Sequence, residues 1–241
     1  MLNTLGDFSC EAFLFEGKEA IVVFPKKGKS NGKWALKTEY WGAFPEVEIM
    51  LLREGFHIAY VTNETRFATS EDCHRKSRFA DFISEKYELS EKCIPIGMSC
   101  GGAHAVRFAG LHPEKVSCVY IDAPVLNYCS FPGKIGDEEC ERVWKREFNV
   151  AYPHVKRHQL INFSEHPICC AESIIENKIP VLMVYGTEDK TVIYEENGAL
   201  LEEAFSETAL LKVMKVECRG HHPHGMIGSN APIVEFIKEN V

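Results

Sequence analysis

The stretch CIPIGMSCGGAHAVRF, residues 93–108, decides how the rest of the chain is read. An apolar run, Cys93-Ile94-Pro95-Ile96, stops at Gly97-Met98-Ser99-Cys100-Gly101 and gives way at once to a small-residue pattern of helical spacing. A core strand gains nothing from glycines beside a serine, because glycine weakens strands. A sharp strand-to-helix turn needs them. Side chains at Gly97 and Gly101 would obstruct the turn that exposes Ser99, and Gly102 and Ala103 let the helix begin close to the neighbouring strand. The pattern is G-x-S-x-G in its informative strand–turn–helix context, the elbow that presents a nucleophilic serine. The free N–H groups of the helix start also favour negative charge beside that serine. The plainer alternative is a glycine-rich turn with an incidental serine.

Outward from this turn, short apolar runs recur at 57–61, 93–96, 116–121, 180–185 and 211–216. Such runs suit parallel strands covered on both faces. Helical stripes separate them: Val47, Met50 and Leu51 closed by Gly55; Phe79, Phe82, Ile83 and Tyr87; Leu200, Leu201, Ala204 and Phe205; Ile233, Phe236 and Ile237. Each stripe reads as a core face, and the alternation predicts right-handed βαβ units. Residues 7–40 differ. Apolar runs at 13–15 and 20–24 about Glu16-Gly17-Lys18 predict a hairpin, with a third strand over 34–40. The expected fold class is therefore α/β, with a mostly parallel central sheet, antiparallel N-terminal strands and helices on both faces, in one domain over 1–241. Residues 123–178 interrupt the alternation with Pro124, Pro132, Pro153 and Pro167 and a charged run at 137–144. An insertion over the Ser99 edge is where a small lid belongs.

The 241 residues are 45% hydrophobic and 26% charged, as in an ordinary globular domain. With 27 basic against 35 acidic residues, a net charge of −8, a nucleic-acid surface is not expected. The basic run Lys26-Lys27-Gly28-Lys29 reads as a solvated loop. The first fifteen residues lack a basic region followed by an apolar core, so no signal peptide is read. No apolar stretch approaches the about 18 residues of a membrane span. Ten scattered cysteines without a CxxC pair read as free thiols packed as small hydrophobes, and cytoplasm is the expected compartment.

A serine attacks poorly unless a base takes its proton and a third group orients that base. In a chain built around this elbow, acid and base follow the serine. The run at 180–185 ends in Gly186-Thr187-Glu188-Asp189-Lys190-Thr191-Val192. Asp189 is the favoured acid, near the loop apex; Glu188 and Asp122 are the alternatives. After the last strand comes Cys218-Arg219-Gly220-His221-His222-Pro223-His224-Gly225. His221 is the favoured base and His222 the alternative, with His222 and His224 as pocket or packing residues. Three histidines in four positions raise a metal site, but no second ligand cluster accompanies them and their spacing is too close for the usual ligand pairs. No metal and no cofactor are expected.

With the G-M-S-C-G elbow, the G-T-E-D acid loop and the G-H-H-P-H base loop in this order, the chain resembles the α/β-hydrolase superfamily over nearly its whole length. The segment EYWGAFPEVEIMLLREGFHIAYV is similar to that of small esterase-like members related to prolyl oligopeptidase-type hydrolases, including bacterial ones associated with carbohydrate breakdown. The resemblance implies a serine hydrolase with a Ser99–His221–Asp189 triad and an acyl-enzyme. Many esterases carry H-G-G-G in the oxyanion loop; here that loop reads Tyr40-Trp41-Gly42-Ala43-Phe44-Pro45. An oxyanion hole needs backbone N–H groups, so Cys100 is expected as one donor and Trp41 or Gly42 as the other. The expected substrate is a small carboxylic ester, an acylated carbohydrate among the candidates. Trp41, Phe44, Tyr128, Phe131 and Trp144 could wall a sugar ring with His222 nearby, or simply pack the lid. The expected partner is that small molecule alone, with neither nucleic acid nor membrane. The competing readings are a peptidase or amidase using the same triad, and a catalytically silent hydrolase fold that binds a ligand or a partner.

Overall fold

A computed structural model describes residues 2–241. The N-terminal hairpin joins β1 (Cys10–Phe15) to β2 (Lys18–Val23) through Glu16 and Gly17, both at positive φ (+48° and +77°), the twist that a two-residue hairpin turn demands. Six further strands follow: β3 (Trp34–Lys37), β4 (His57–Val61), β5 (Ile94–Met98), β6 (Val119–Asp122), β7 (Val181–Gly186) and β8 (Leu211–Val216). They form one sheet in the order β1-β2-β4-β3-β5-β6-β7-β8. β2 pairs antiparallel with both β1 and β4, and every other pair is parallel. Every residue of β4, β5, β6 and β7 is buried, which is why these segments are near-continuous apolar runs.

Two expected strands are shorter than the apolar pattern. The segment 34–40 is regular only to Lys37; Thr38 still donates to the Ile96 carbonyl at 3.0 Å, and then Tyr40 at φ +56° turns the chain away. The run at 116–121 becomes regular at Val119. Val116 makes an isolated bridge to Cys93, and Ser117 turns its N–H and its hydroxyl onto the Cys93 carbonyl (3.0 and 3.2 Å). Side-chain hydrogen bonding of this kind competes with the ladder.

The helices are α1 (Glu46–Arg53), α2 (Ser70–Tyr87), α3 (Cys100–Leu111), α4 (Glu138–Val143), α5 (Asn149–Ala151), α6 (Ala171–Glu176), α7 (Gly198–Ala204) and α8 (Ala231–Glu239). One face of the sheet is covered by α2, α3, α6 and α7, the other by α1 and α8. Within β2, Ala20 and Val22 face the first layer while Ile21 and Val23 face the second, the period-two alternation of a strand. The hydroxyl of Thr69 accepts from Asp72 N–H and caps the start of α2. Between β6 and β7 the chain runs in short helices and turns around a third apolar cluster, in which Phe67, Tyr128 and Phe148 pack against the first turn of α3.

All ten cysteines are free thiols, but only five are buried as small hydrophobes; Cys10, Cys129, Cys169 and Cys218 are exposed. Among the described residues no helix is long and apolar enough to cross a membrane.

The edge hairpin is held to the body by aromatic packing. Phe79 of α2 is fully buried and meets Phe15 and Phe13 at ring distances of 5.2 and 6.4 Å. Phe79→Ala is therefore expected to cost about 3–5 kcal/mol in urea unfolding. Leu14→Ala, at a neighbouring β1 residue left 69% exposed, should stay within about 0.5 kcal/mol of wild type. Equal effects would mean that this seam does not anchor the hairpin.

Candidate active site

Ser99 stands between the end of β5 and the start of α3, at φ +53° and ψ −123°. A Cβ on Gly97 would lie 2.1 Å from the Gly101 carbonyl oxygen, and one on Gly102 would lie 2.4 Å from Pro124 Cβ. These two positions admit no side chain. At Gly101 the nearest atom to such a Cβ, Glu39 Cβ, is 3.2 Å away, so the crowding expected there falls mainly on Gly102. The backbone of Ser99 is held on both sides: its N–H donates to Asp122 O (2.9 Å), and its carbonyl accepts from Gly102 N–H (2.9 Å) and Val125 N–H (3.0 Å).

The acid loop leaves β7 at Gly186. A Cβ there would meet Arg219 O at 2.2 Å, so the acid and base loops pack backbone against backbone. Asp189 Oδ1 accepts from the N–H groups of Thr191 and Val192, both at 2.9 Å, which fixes the carboxylate plane. Its Oδ2 faces His221 Nδ1 at 2.7 Å, and His221 Nε2 faces Ser99 Oγ at 3.1 Å. A carboxylate can only accept, so Nδ1 carries the proton and Nε2 keeps the lone pair toward the serine hydroxyl. Burial opposes the charge on Asp189, but the hydrogen bond from His221 and the two loop amides outweigh it and hold the carboxyl below its ordinary value.

The alternatives for acid and base lie elsewhere. Glu188 is exposed and engages the base loop only through its N–H, which donates to Arg219 O. Asp122 is fully buried and takes bonds from both terminal nitrogens of Arg219 (3.1 and 2.7 Å), from His224 Nδ1 (2.9 Å) and from Gly225 N–H (2.7 Å). It ties down the loop that carries His221. His222 stacks on Phe44 at 5.4 Å and 13°, away from the serine–acid line. Its ring is held below the usual histidine value by burial, then by the His221 and His224 rings beside it.

A cavity of about 420 Å³ opens above Ser99. His221, His222, His224 and Phe44 line one side; Phe131, Glu139 and Thr191 close another; Tyr40 and Arg66 complete it. Three expected wall residues are not there. Trp41 turns outward, its indole N–H on Asn3 O at 2.8 Å and its ring stacked on Tyr60. Tyr128 is completely buried, ringed by Phe67 and Phe148. Trp144 stacks on Phe148 at 4.7 Å with the Arg157 guanidinium over its face. Of the expected aromatics, Phe44 and Phe131 reach the cavity.

For the oxyanion, Cys100 is the first residue of α3, where helical N–H groups have no intrahelical acceptor. Its thiol is buried and pushed up to about 11 by that burial, so it offers no thiolate at neutral pH. Neither Trp41 nor Gly42 N–H donates to a backbone carbonyl among the described residues. Tyr40 and Arg66 are residues that sequence reasoning missed. Burial pushes the Tyr40 phenol up, so it stays a hydrogen-bond donor at the cavity wall. Glu147 clamps Arg66 with both carboxylate oxygens. Neither residue belongs to a motif that could have announced it.

No family model matches the chain. Acylaminoacyl peptidase from Pyrococcus horikoshii superposes with a TM-score of 0.72 at 14% identity, over 98% of this chain and 42% of that one. Est1E from Butyrivibrio proteoclasticus matches with a TM-score of 0.67 at 14% identity, over 96% of this chain and 98% of its own. MGS-MChE2, an α/β-hydrolase enzyme from a lagoon-sediment metagenome, matches at 0.58 and 16% identity, over 95% and 98%. The chain spans less than half the length of the peptidases it matches. The eight-stranded, mostly parallel sheet is that of the α/β-hydrolase fold.

The lowered value of Asp189 sets a sign for stability against pH. A depressed carboxyl stabilises the fold above its ordinary value of 3.8 and loses that contribution as pH falls through its lower folded value. The stability gap between wild type and Asp189→Asn should therefore narrow between about pH 5 and pH 2. Denaturant melts across that range measure it; a gap that widened would contradict the assignment of the two amides and His221 as partners of an ionised Asp189.

Proposed function

We propose that the protein is a serine hydrolase that cleaves a small carboxylic ester. The observation that carries the reading is the unbroken line Ser99 Oγ–His221–Asp189, at 3.1 and 2.7 Å, whose Ser99 and His221 line the cavity. Ser99 attacks the ester carbonyl as His221 Nε2 takes its proton, and the carbonyl oxygen becomes an oxyanion facing the N–H of Cys100 and of Trp41 or Gly42. As the tetrahedral species collapses, His221 returns the proton to the leaving alcohol and an acyl-serine remains. Water, deprotonated by the same imidazole, then releases the acid. Asp189 keeps the proton on Nδ1 and stabilises the imidazolium formed in each half-reaction.

A cavity of about 420 Å³ suits a small acyl group better than an extended chain. The segment 123–178 serves as a lid, since Phe131 and Glu139 reach the cavity from it. Acylated carbohydrates stay among the candidate substrates, with Phe131 as an aromatic side of the cavity, backed by Phe67 and with Arg66 over its ring. The proposed compartment is the cytoplasm, in keeping with ten unpaired thiols. The proposed partner is the ester itself.

A panel of short-chain, aryl and acylated-sugar esters, run beside peptide amides, tests the reading. Ser99→Ala and His221→Ala should each lower kcat by about 10⁴-fold or more, with the double variant little worse than either, because triad members act as a unit. Asp189→Asn should lose about 10⁴-fold through the wrong imidazole tautomer, and Glu188→Gln should be mild. A fluorophosphonate probe should label Ser99. Faster turnover of amides than of esters would move the assignment to a peptidase, and a wild type that neither labels nor turns over would make the fold a silent binder.

A further inference from the structure

His221, His222 and His224 cluster at one point: one ring nitrogen from each lies within 4.8 Å of the other two. Two of the rings are set by carboxylates in the same way. Asp189 Oδ2 holds His221 Nδ1 at 2.7 Å, and Asp122 Oδ1 holds His224 Nδ1 at 2.9 Å. Each carboxylate fixes the proton on Nδ1 and leaves the lone pair on Nε2, the arrangement in which imidazole ligates a metal with its other nitrogen anchored. His222, exposed at the cavity wall, completes a triangle of rings with them, is braced on Phe44, and makes no side-chain hydrogen bond among the described residues.

We propose that these three imidazoles form a binding site for a divalent transition ion of zinc type, and that occupation switches hydrolysis off. Zinc takes neutral imidazole nitrogens at about 2.0–2.1 Å, which places tetrahedral ligands about 3.4 Å apart. The three ligand atoms, within 4.8 Å of one another, draw in toward that spacing, and the exposed His222 ring, which has no hydrogen bond to give up, is the freest to move. The fourth position goes to water. The Nε2 lone pair of His221, once donated to the ion, can no longer accept the Ser99 proton, so the acylation step stops without any covalent change. The binding half of this inference stands independently; the inhibitory half rests on the proposed role of His221.

Calorimetric titration of the whole protein with zinc chloride tests the binding half. Wild type and Ser99→Ala should each bind one ion, the variant at least as tightly, because Ser99 is not a ligand and its hydroxyl competes with the ion for His221 Nε2. His222→Ala and His222→Asn should each weaken binding by about tenfold or more. His74→Ala serves as the control, since His74 and His112 form a separate imidazole pair with nitrogens 2.9 Å apart. Cobalt should give the visible absorption of a tetrahedral site in wild type and lose it in the His222 variants. In ester turnover, zinc should inhibit wild type reversibly, with EDTA restoring the rate. The half-inhibiting concentration for His222→Ala, referred to that variant's own zinc-free rate, should rise by the same factor as its binding constant. The proposal is overturned if no ion binds, if affinity falls with His74→Ala and not with the His222 variants, or if zinc raises the rate. Failure of the hydrolase reading is distinct: Ser99→Ala would keep turning over ester whatever the titration gave.

Discussion

The backbone of Ser99 is the constraint on which the rest of the site depends. A non-glycine residue at φ +53° carries a strain on the order of 1–3 kcal/mol and persists only where its surroundings over-determine it. Here three backbone hydrogen bonds, to Asp122, Gly102 and Val125, do that. The absence of side chains at Gly97 and Gly102 makes room for the close approach those bonds require. Because β5 lies inside the sheet, between β3 and β6, the loops that follow β3, β6, β7 and β8 all rise at the same edge as the serine. The loop after β3, Asp189 and His221 are thus brought toward Ser99 from three other parts of the chain, a common outcome at the carboxyl ends of parallel strands.

Asp122 joins two of those parts. Its carbonyl holds the Ser99 N–H, and its carboxylate gathers Arg219, His224 and Gly225 from the base loop. The Arg219–Asp122 pair is buried at both ends, and a buried pair of this kind is weak evidence for stability, since desolvation offsets its attraction. Its value here is geometric. Any shift of the base loop would have to strip donors from a carboxylate that water does not reach, so His221 is kept in register with Ser99.

What could be read in advance follows from how local each constraint is. The elbow was legible because Gly97, Ser99 and Gly102 report a backbone need that few other residues meet. The meeting of Asp189 and His221 beside Ser99 was legible because each follows an apolar run at a strand end. The walls were not. Tyr40 and Phe44 both take positive φ (+56° and +46°), so the side chains of the loop between them alternate in a way that no periodicity encodes. Trp41 is thereby sent outward to Tyr60 while Tyr40 and Phe44 turn to the cavity. Tyr128 and Trp144 were drawn into their own aromatic cluster, since a segment lying outside the sheet must bury its rings somewhere. Arg66 was invisible because its position depends on Glu147, 81 residues along the chain.

The spacing of the three histidines has its own structural cause. β6 and β7 are adjacent strands, and each delivers one carboxylate to the site, Asp122 at the end of β6 and Asp189 just beyond β7. A single loop that must meet both carboxylates has to straddle one inter-strand gap, about 4.8 Å, with two imidazoles. His221 and His224, three residues apart, do so: the first takes the carboxylate beside the serine, the second the buried one beneath the loop. His222 then has no carboxylate left to meet and turns the other way, onto Phe44. The dense His-His-Pro-His run is thus explained without reference to a metal, since two ring-orienting carboxylates on neighbouring strands are enough to require it. The same two carboxylates that keep the proton on Nδ1 of His221 and His224 leave the lone pairs on Nε2, where a serine hydroxyl or an ion can be met.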